Sequence, residues 1–133
     1  MDFMTHELII DKRKIIVAAK IKGINKYREL KLILDTGASI SVISESAAID
    51  LGFDLKRLTP GDRLMTAKGG VNSKILKLPK FSLFGKDKVN FEVNVLKLPP
   101  QITYFADGLI GTDFLLQFKN IKFDFEGKFI ETT

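Results

Sequence analysis

Leu32-Ile33-Leu34-Asp35-Thr36-Gly37-Ala38-Ser39 runs three apolar residues straight into a carboxylate, a hydroxyl and a glycine, and Ile40 to Ile43 follows as a short run of buried character. The apolar residues before Asp35 read as a buried strand. A carboxylate at the end of such a strand is costly unless hydrogen bonds hold it, and the backbone N–H groups of a tight glycine turn can supply them. Asp-Thr-Gly suits an Asx-turn between two strands equally well. The tripeptide alone leaves both readings open.

Outward from that stretch, β signals dominate. Glu7 to Ile10 and Lys14 to Ile21 are rich in Ile and Val around a polar turn at Asp11 to Arg13, and a second turn at Gly23, Asn25 and Lys26 leads into Arg28 to Leu34. Ser44 is placed to cap a helix over Glu45 to Leu51, with Gly52 at the C′ position. Thr59-Pro60-Gly61-Asp62 reads as a turn. Arg63 to Ala67 and Val71 to Leu78 read as a hairpin with Lys68-Gly69-Gly70 at its tip.

Lys80 to Phe84 and Val89 to Leu96 form a further hairpin around Gly85 to Lys88, with Phe91, Val93 and Val95 on one face and Asn90, Glu92 and Asn94 on the other. Pro99-Pro100 interrupts the sheet, Gly108 to Gly111 resumes an apolar run, and Thr112 to Phe118 reads as a short helix. Ile121 to Phe125 and Phe129 to Glu131 close the chain as a hairpin. Short strands with turns every eight to twelve residues or so predict an all-β barrel or sandwich with two short helices. A faint internal echo pairs the apolar run, glycine and helix before Gly52 with those before Phe118.

Composition bounds the chemistry. The 133 residues suffice for one domain spanning 1–133 with a real core. Without cysteine there are no disulfides, thiolate metal sites or cysteine nucleophiles, and His6 as the only histidine argues against a triad or a histidine-rich metal site in one chain. No cofactor and no metal are expected. The net charge of +5 is compatible with anionic partners. Yet Lys74, Lys77, Lys80, Lys86 and Lys88 are scattered without interleaved aromatics, so they read as solvated faces and argue against a nucleic-acid groove. No apolar stretch has membrane-spanning length, and Met1 to Lys14 lacks a signal-peptide core, so a soluble cytoplasmic protein is expected.

Taken together, these residues resemble the retropepsin-like aspartic proteases, the retroviral-type family of single-domain acid proteases. Asp35-Thr36-Gly37-Ala38 resembles that family's active-site loop, Thr66-Ala67-Lys68-Gly69-Gly70 its flap, and Leu109-Ile110-Gly111 its apolar–apolar–glycine signature, with Thr112 to Leu115 as the helix after it. The resemblance covers most of the chain. It implies a closed all-β barrel with one or two short helices, acting as a homodimer on peptide or protein substrates.

Such catalysis needs two carboxylates sharing a proton. The chain holds one Asp-Thr-Gly, so the resemblance implies that Asp35 meets its twin on a twofold axis. Thr36 would tie the two loops together, while Gly37 and Ala38 would support the turn. Ala67, Lys68, Gly69 and Gly70 would cover substrate, and Leu109 and Ile110 would line a pocket. The segments Glu7 to Ile10 and Phe129 to Thr133 would pair between subunits.

Asp113 reads instead as a helix first-turn acid favoured by the dipole, Asp107 as a loop residue, and His6 as an exposed terminal side chain. Ser39-Ile40 stands where retroviral members commonly have acidic residues, and Thr112 where many have an arginine, so substrate preference and interface ion pairs do not carry over. A catalytically silent barrel that binds peptide or dimerises is the alternative, and a basic nucleic-acid-binding barrel a third.

Overall fold

The computed structural model describes residues 3–66 and 69–133. Its strands are β1 (Met4–Glu7), β2 (Ile9–Asp11), β3 (Lys14–Lys22), β4 (Tyr27–Leu34), β5 (Val42–Ser44), β6 (Thr59–Pro60), β7 (Leu64–Thr66), β8 (Gly69–Val71), β9 (Lys74–Leu83), β10 (Lys86–Leu96), β11 (Gly108–Ile110), β12 (Ile121–Asp124) and β13 (Phe129–Thr132). Among the described residues the α-helices are α1 (Glu45–Asp50), α2 (Pro100–Thr103) and α3 (Thr112–Leu115), with a 3-10 turn at Leu55–Arg57.

Strands β3, β4, β11, β5, β10 and β9 are hydrogen-bonded in that order, and β9 pairs back onto β3. These six strands therefore close into a barrel, and the short strands β2 and β6 add onto β3 and β9 as edges. Barrel closure runs through Lys20↔Ser82, Ile21↔Phe81 and Lys22↔Lys80. Inward-facing residues alternate as the pattern on β10 predicts: Phe91, Val93 and Val95 are buried, and Asn90 and Glu92 are exposed. Phe81, Phe91 and Phe114 form a mutually tilted aromatic cluster, with ring centroids 5.0 to 5.8 Å apart. Much of the chain's phenylalanine content is thus spent on packing.

Ser44 caps α1 as expected, its hydroxyl accepting from the Ala47 N–H at 3.1 Å, and Gly52 follows the helix at φ +97°. Four local expectations are corrected. Thr59-Pro60 is a short edge strand on Ile75 and Lys74, where a proline on its open side costs no ladder bond. The β9–β10 turn is the two-residue Phe84-Gly85, at φ +54° and +74°, so Lys86 to Lys88 belong to β10. Phenylalanine is an uncommon residue in a left-handed turn, but Phe84 is buried, and its packing wins. Pro99-Pro100 does interrupt the sheet, but Pro100 also opens α2, a helix beyond the two expected, since proline is pre-organised for a helix's first turn. The helix after Gly111 stops at Leu115, and Leu116 to Phe118 continue as turn.

Within one chain the terminal segments already pair with one another. Strand β1 pairs with β13 from Met4↔Thr132 to Glu7↔Phe129, β13 pairs with β12, and β2 pairs with β3. His6 is accordingly not a free terminal side chain. Its Nε2 lies 3.1 Å from the Thr132 hydroxyl and its ring lies 4.9 Å from that of Phe84. Burial there pushes the imidazole pKa below its ordinary 6.5.

Candidate active site

Strand β11 inserts between β4 and β5, parallel to the first and antiparallel to the second. Its register, Leu109↔Ile33 and Ile110↔Leu34, brings Gly111 beside Asp35 at the strand ends. This close approach needs glycine. A Cβ on Gly108 would collide with the Val42 carbonyl, and one on Gly111 would sit 2.6 Å from the Ala38 carbonyl oxygen.

Asp35 is half-buried, and its N–H donates to the Ile110 carbonyl at 3.0 Å. The carboxylate accepts the Gly37 N–H at 2.9 Å, and the Ala38 N–H donates to the Asp35 carbonyl at 3.1 Å. The local geometry is thus a tight turn with an Asx hydrogen bond. The two readings of Asp-Thr-Gly coincide here, because the bond that makes the turn also holds the carboxylate in place. Thr36 and Gly37 are exposed on the outer surface of the turn, and Ala38 is half-buried.

Below the turn lies a polar brace that the sequence alone does not reveal. Ser41, 2% exposed, donates its hydroxyl to Asp113 Oδ1 at 2.7 Å and accepts the Gly111 N–H at 3.0 Å. The Ser41 N–H donates to Asp113 Oδ2 at 2.8 Å, and the Phe114 N–H donates to Asp113 Oδ1 at 3.0 Å. The Ala38 carbonyl accepts both the N–H and the hydroxyl of Thr112, at 2.8 and 3.2 Å. Asp113 therefore does more than complement a helix dipole: it ties the chain after β11 to the chain after Asp35. Asp107 likewise accepts the Lys31 N–H at 3.0 Å, holding the approach to β11 against β4.

A groove of about 930 Å³ opens over this floor. Asp35, Gly37, Ala38 and Leu109 line it together with Ser39, Ile40 and Val42. Leu64, Met65 and Val71 of the β7–β8 hairpin also line it, as does the segment from Leu96 to Ile102. The lining is predominantly apolar, the composition expected of a site that desolvates its ligand.

Of the residues expected at the site, Asp35, Gly37, Ala38 and Leu109 come together in the groove. Ile110 does not: it is 0% exposed and belongs to the core, because neighbouring side chains on a strand point to opposite faces. Gly69 and Gly70 lie on the hairpin, paired with Thr66 and Met65, but the groove is touched by Leu64, Met65 and Val71 instead. Ala67 and Lys68 lie outside the described residues. The lining segment from Leu96 to Ile102 was missed; its signal was Leu98-Pro99-Pro100, where the alternation of β10 ends. Among the described residues no three His, Cys, Asp or Glu side chains gather to hold a metal ion, and no helix is long and apolar enough to cross a membrane.

Residues 17–114 match the profile of a family described as aspartyl protease. Comparison with curated proteins found no match. Among solved structures, the chain is similar to a retropepsin-like aspartic protease from Rickettsia conorii, with a TM-score of 0.74 and 22% identity, covering 98% of this chain and 91% of that one. It is also similar to the EIAV protease in complex with the inhibitor HBY-793, with a TM-score of 0.63 and 19% identity, covering 80% of this chain and 88% of that one. The fold is retropepsin-like.

Proposed function

This chain belongs to the aspartyl protease family, and we propose that it is an aspartic endopeptidase in which Asp35 of two identical subunits forms one catalytic pair. The observation that carries the proposal is the position of Asp35, a half-buried carboxylate held by its own turn and lining a mostly apolar groove. In this reading the 133 residues act as one domain.

The chain itself supplies no second catalytic carboxylate from the adjoining helix. Asp113 is occupied with the Ser41 hydroxyl and the N–H groups of Ser41 and Phe114. A twofold pairing brings in the missing group with no further sequence, since a closed symmetric dimer presents the same residue from both sides. Exposed Thr36 is then free to face its counterpart, and the β7–β8 hairpin closes over substrate.

Chemically, one carboxylate of the pair is ionised and takes a proton from a water held between them. That water attacks the scissile carbonyl carbon, and the protonated partner donates to the carbonyl oxygen. Collapse of the tetrahedral intermediate reforms the carbonyl, passes a proton to the amide nitrogen and breaks the C–N bond. Leu109, Ile40, Val42 and Met65 favour apolar side chains beside that bond.

The test is digestion of an unfolded protein at about pH 4–6, the acid range in which a dyad holds one proton, by parent and by Asp35→Asn. The variant should retain its fold and lose cleavage. Mixing parent with excess Asp35→Asn under subunit exchange should depress activity below that of the parent alone at the same parent concentration. Parental cleavage by the pure variant excludes Asp35 as catalyst, and undiminished activity after demonstrated exchange excludes the shared pair. A catalytically silent peptide-binding barrel would bind the substrate and leave it intact.

A further inference from the structure

Among the described residues lining the groove, charge is confined to Asp35 and Lys97. Asp35 is engaged within its own turn. Lys97 is exposed, and its ammonium group makes no hydrogen bond, ion pair or ring contact with any described residue. The net charge of +5 means that many lysines are unpaired, so freedom alone says little. Placement says more.

Lys97 and Leu98 form the rim shared by the groove and a neighbouring cleft of about 340 Å³, lined also by Ser44, Glu45, Ser46, Ile49 and Thr103. The main chain under Lys97 is fixed on both sides. Asn94 to Leu96 pair with Val42 to Ser44 in the barrel, and Pro99 follows after half-buried Leu98. Glu45 shares the smaller cleft but forms no ion pair with Lys97. A cation is therefore anchored by its backbone at the edge of a mostly apolar channel, with its head group unspent.

We propose that Lys97 is a specificity-determining residue that recognises an acidic side chain of the substrate, flanking the apolar residues at the scissile bond. The inference rests on the protease reading for the location of the substrate, and it defines the substrate class as peptides that combine an apolar cleavage site with a flanking carboxylate. Symmetry places a second Lys97 at the other end of the dimer's channel, so an acidic residue on either side of the bond is read in the same way. The pair forms at a solvent-exposed rim, so it sorts substrates modestly and contributes little to binding in general.

The experiment uses full-length protein and matched peptides with one apolar cleavage site and Glu, Gln or Lys at each flanking position in turn, at about pH 6, where glutamate is ionised. At one or more positions the parent should cleave the Glu peptide up to about fivefold better in kcat/KM than the Gln peptide, the ceiling for an exposed ion pair. Lys97→Ala should bring that ratio to about one, and Lys97→Glu should favour the Lys peptide. Equal cleavage of Glu and Gln peptides at every position by the parent overturns the inference, as does a Lys97→Ala variant that keeps the preference.

If the parent cleaves none of the peptides, the protease reading fails, and the Lys97 inference is decided by binding to Asp35→Asn. A Glu-over-Gln binding preference that disappears in the Asp35→Asn, Lys97→Ala double variant upholds it. Equal binding overturns it.

Discussion

Replacing Ser41 by alanine removes one hydroxyl from beneath the active-site turn, and its cost can be worked from the geometry. The oxygen is buried and has two partners, Asp113 Oδ1 at 2.7 Å and the Gly111 N–H at 3.0 Å. In the parent, no buried side-chain nitrogen or oxygen among the described residues lacks a hydrogen bond. The variant strands the Gly111 N–H, at about 1–3 kcal/mol, and deletes a bond to a carboxylate, at about 1.5–3 kcal/mol. Asp113 keeps its bonds to the Ser41 and Phe114 N–H groups, which limits the total to about 3 kcal/mol.

With an unfolding entropy of about 2.1 cal/mol/K per residue over 133 residues, that loss lowers Tm by about 11 °C. Thermal melts followed by circular dichroism at fixed protein concentration measure it. Ser39→Ala is the control, since Ser39 is exposed in the same loop and should change Tm little. A Ser41→Ala protein melting within about 3 °C of the parent would refute the brace as a structural element.

Two further predictions concern pH. Proteolysis should peak on the acid side of neutrality and fall toward alkaline pH, because the pair works only while it holds one proton; a rate rising steadily to about pH 9 would contradict a shared-proton mechanism. His6 should make the fold less stable in acid. Its folded pKa lies below the ordinary 6.5, so the unfolded chain binds the extra proton first, and the contribution present above 6.5 is lost as pH falls through the folded pKa. His6→Gln should flatten that part of the Tm–pH curve, and an unchanged slope would remove the role assigned to its burial.

The apolar run into Asp-Thr-Gly, the alternation on β10 and the capping of α1 by Ser44 were legible because each is a local property. Period-two burial follows from strand geometry, and a cap reaches only three residues along the chain. Asp35 as the candidate site was legible for the same reason, since its turn closes within Asp35 to Ala38.

The remainder depended on partners distant in sequence. Nothing near Ser41 announces Asp113, 72 residues away, and that bond exists because β11 inserts between β4 and β5. The same insertion, with side chains alternating across the strand, sends Leu109 to the groove and Ile110 to the core, although the two are adjacent and chemically alike. Phe84 took a left-handed turn because packing outweighed local preference there. Local sequence determined which segments became strands and where the carboxylate stands. Barrel closure decided which side chains face it, because closure brings together residues that no local rule relates.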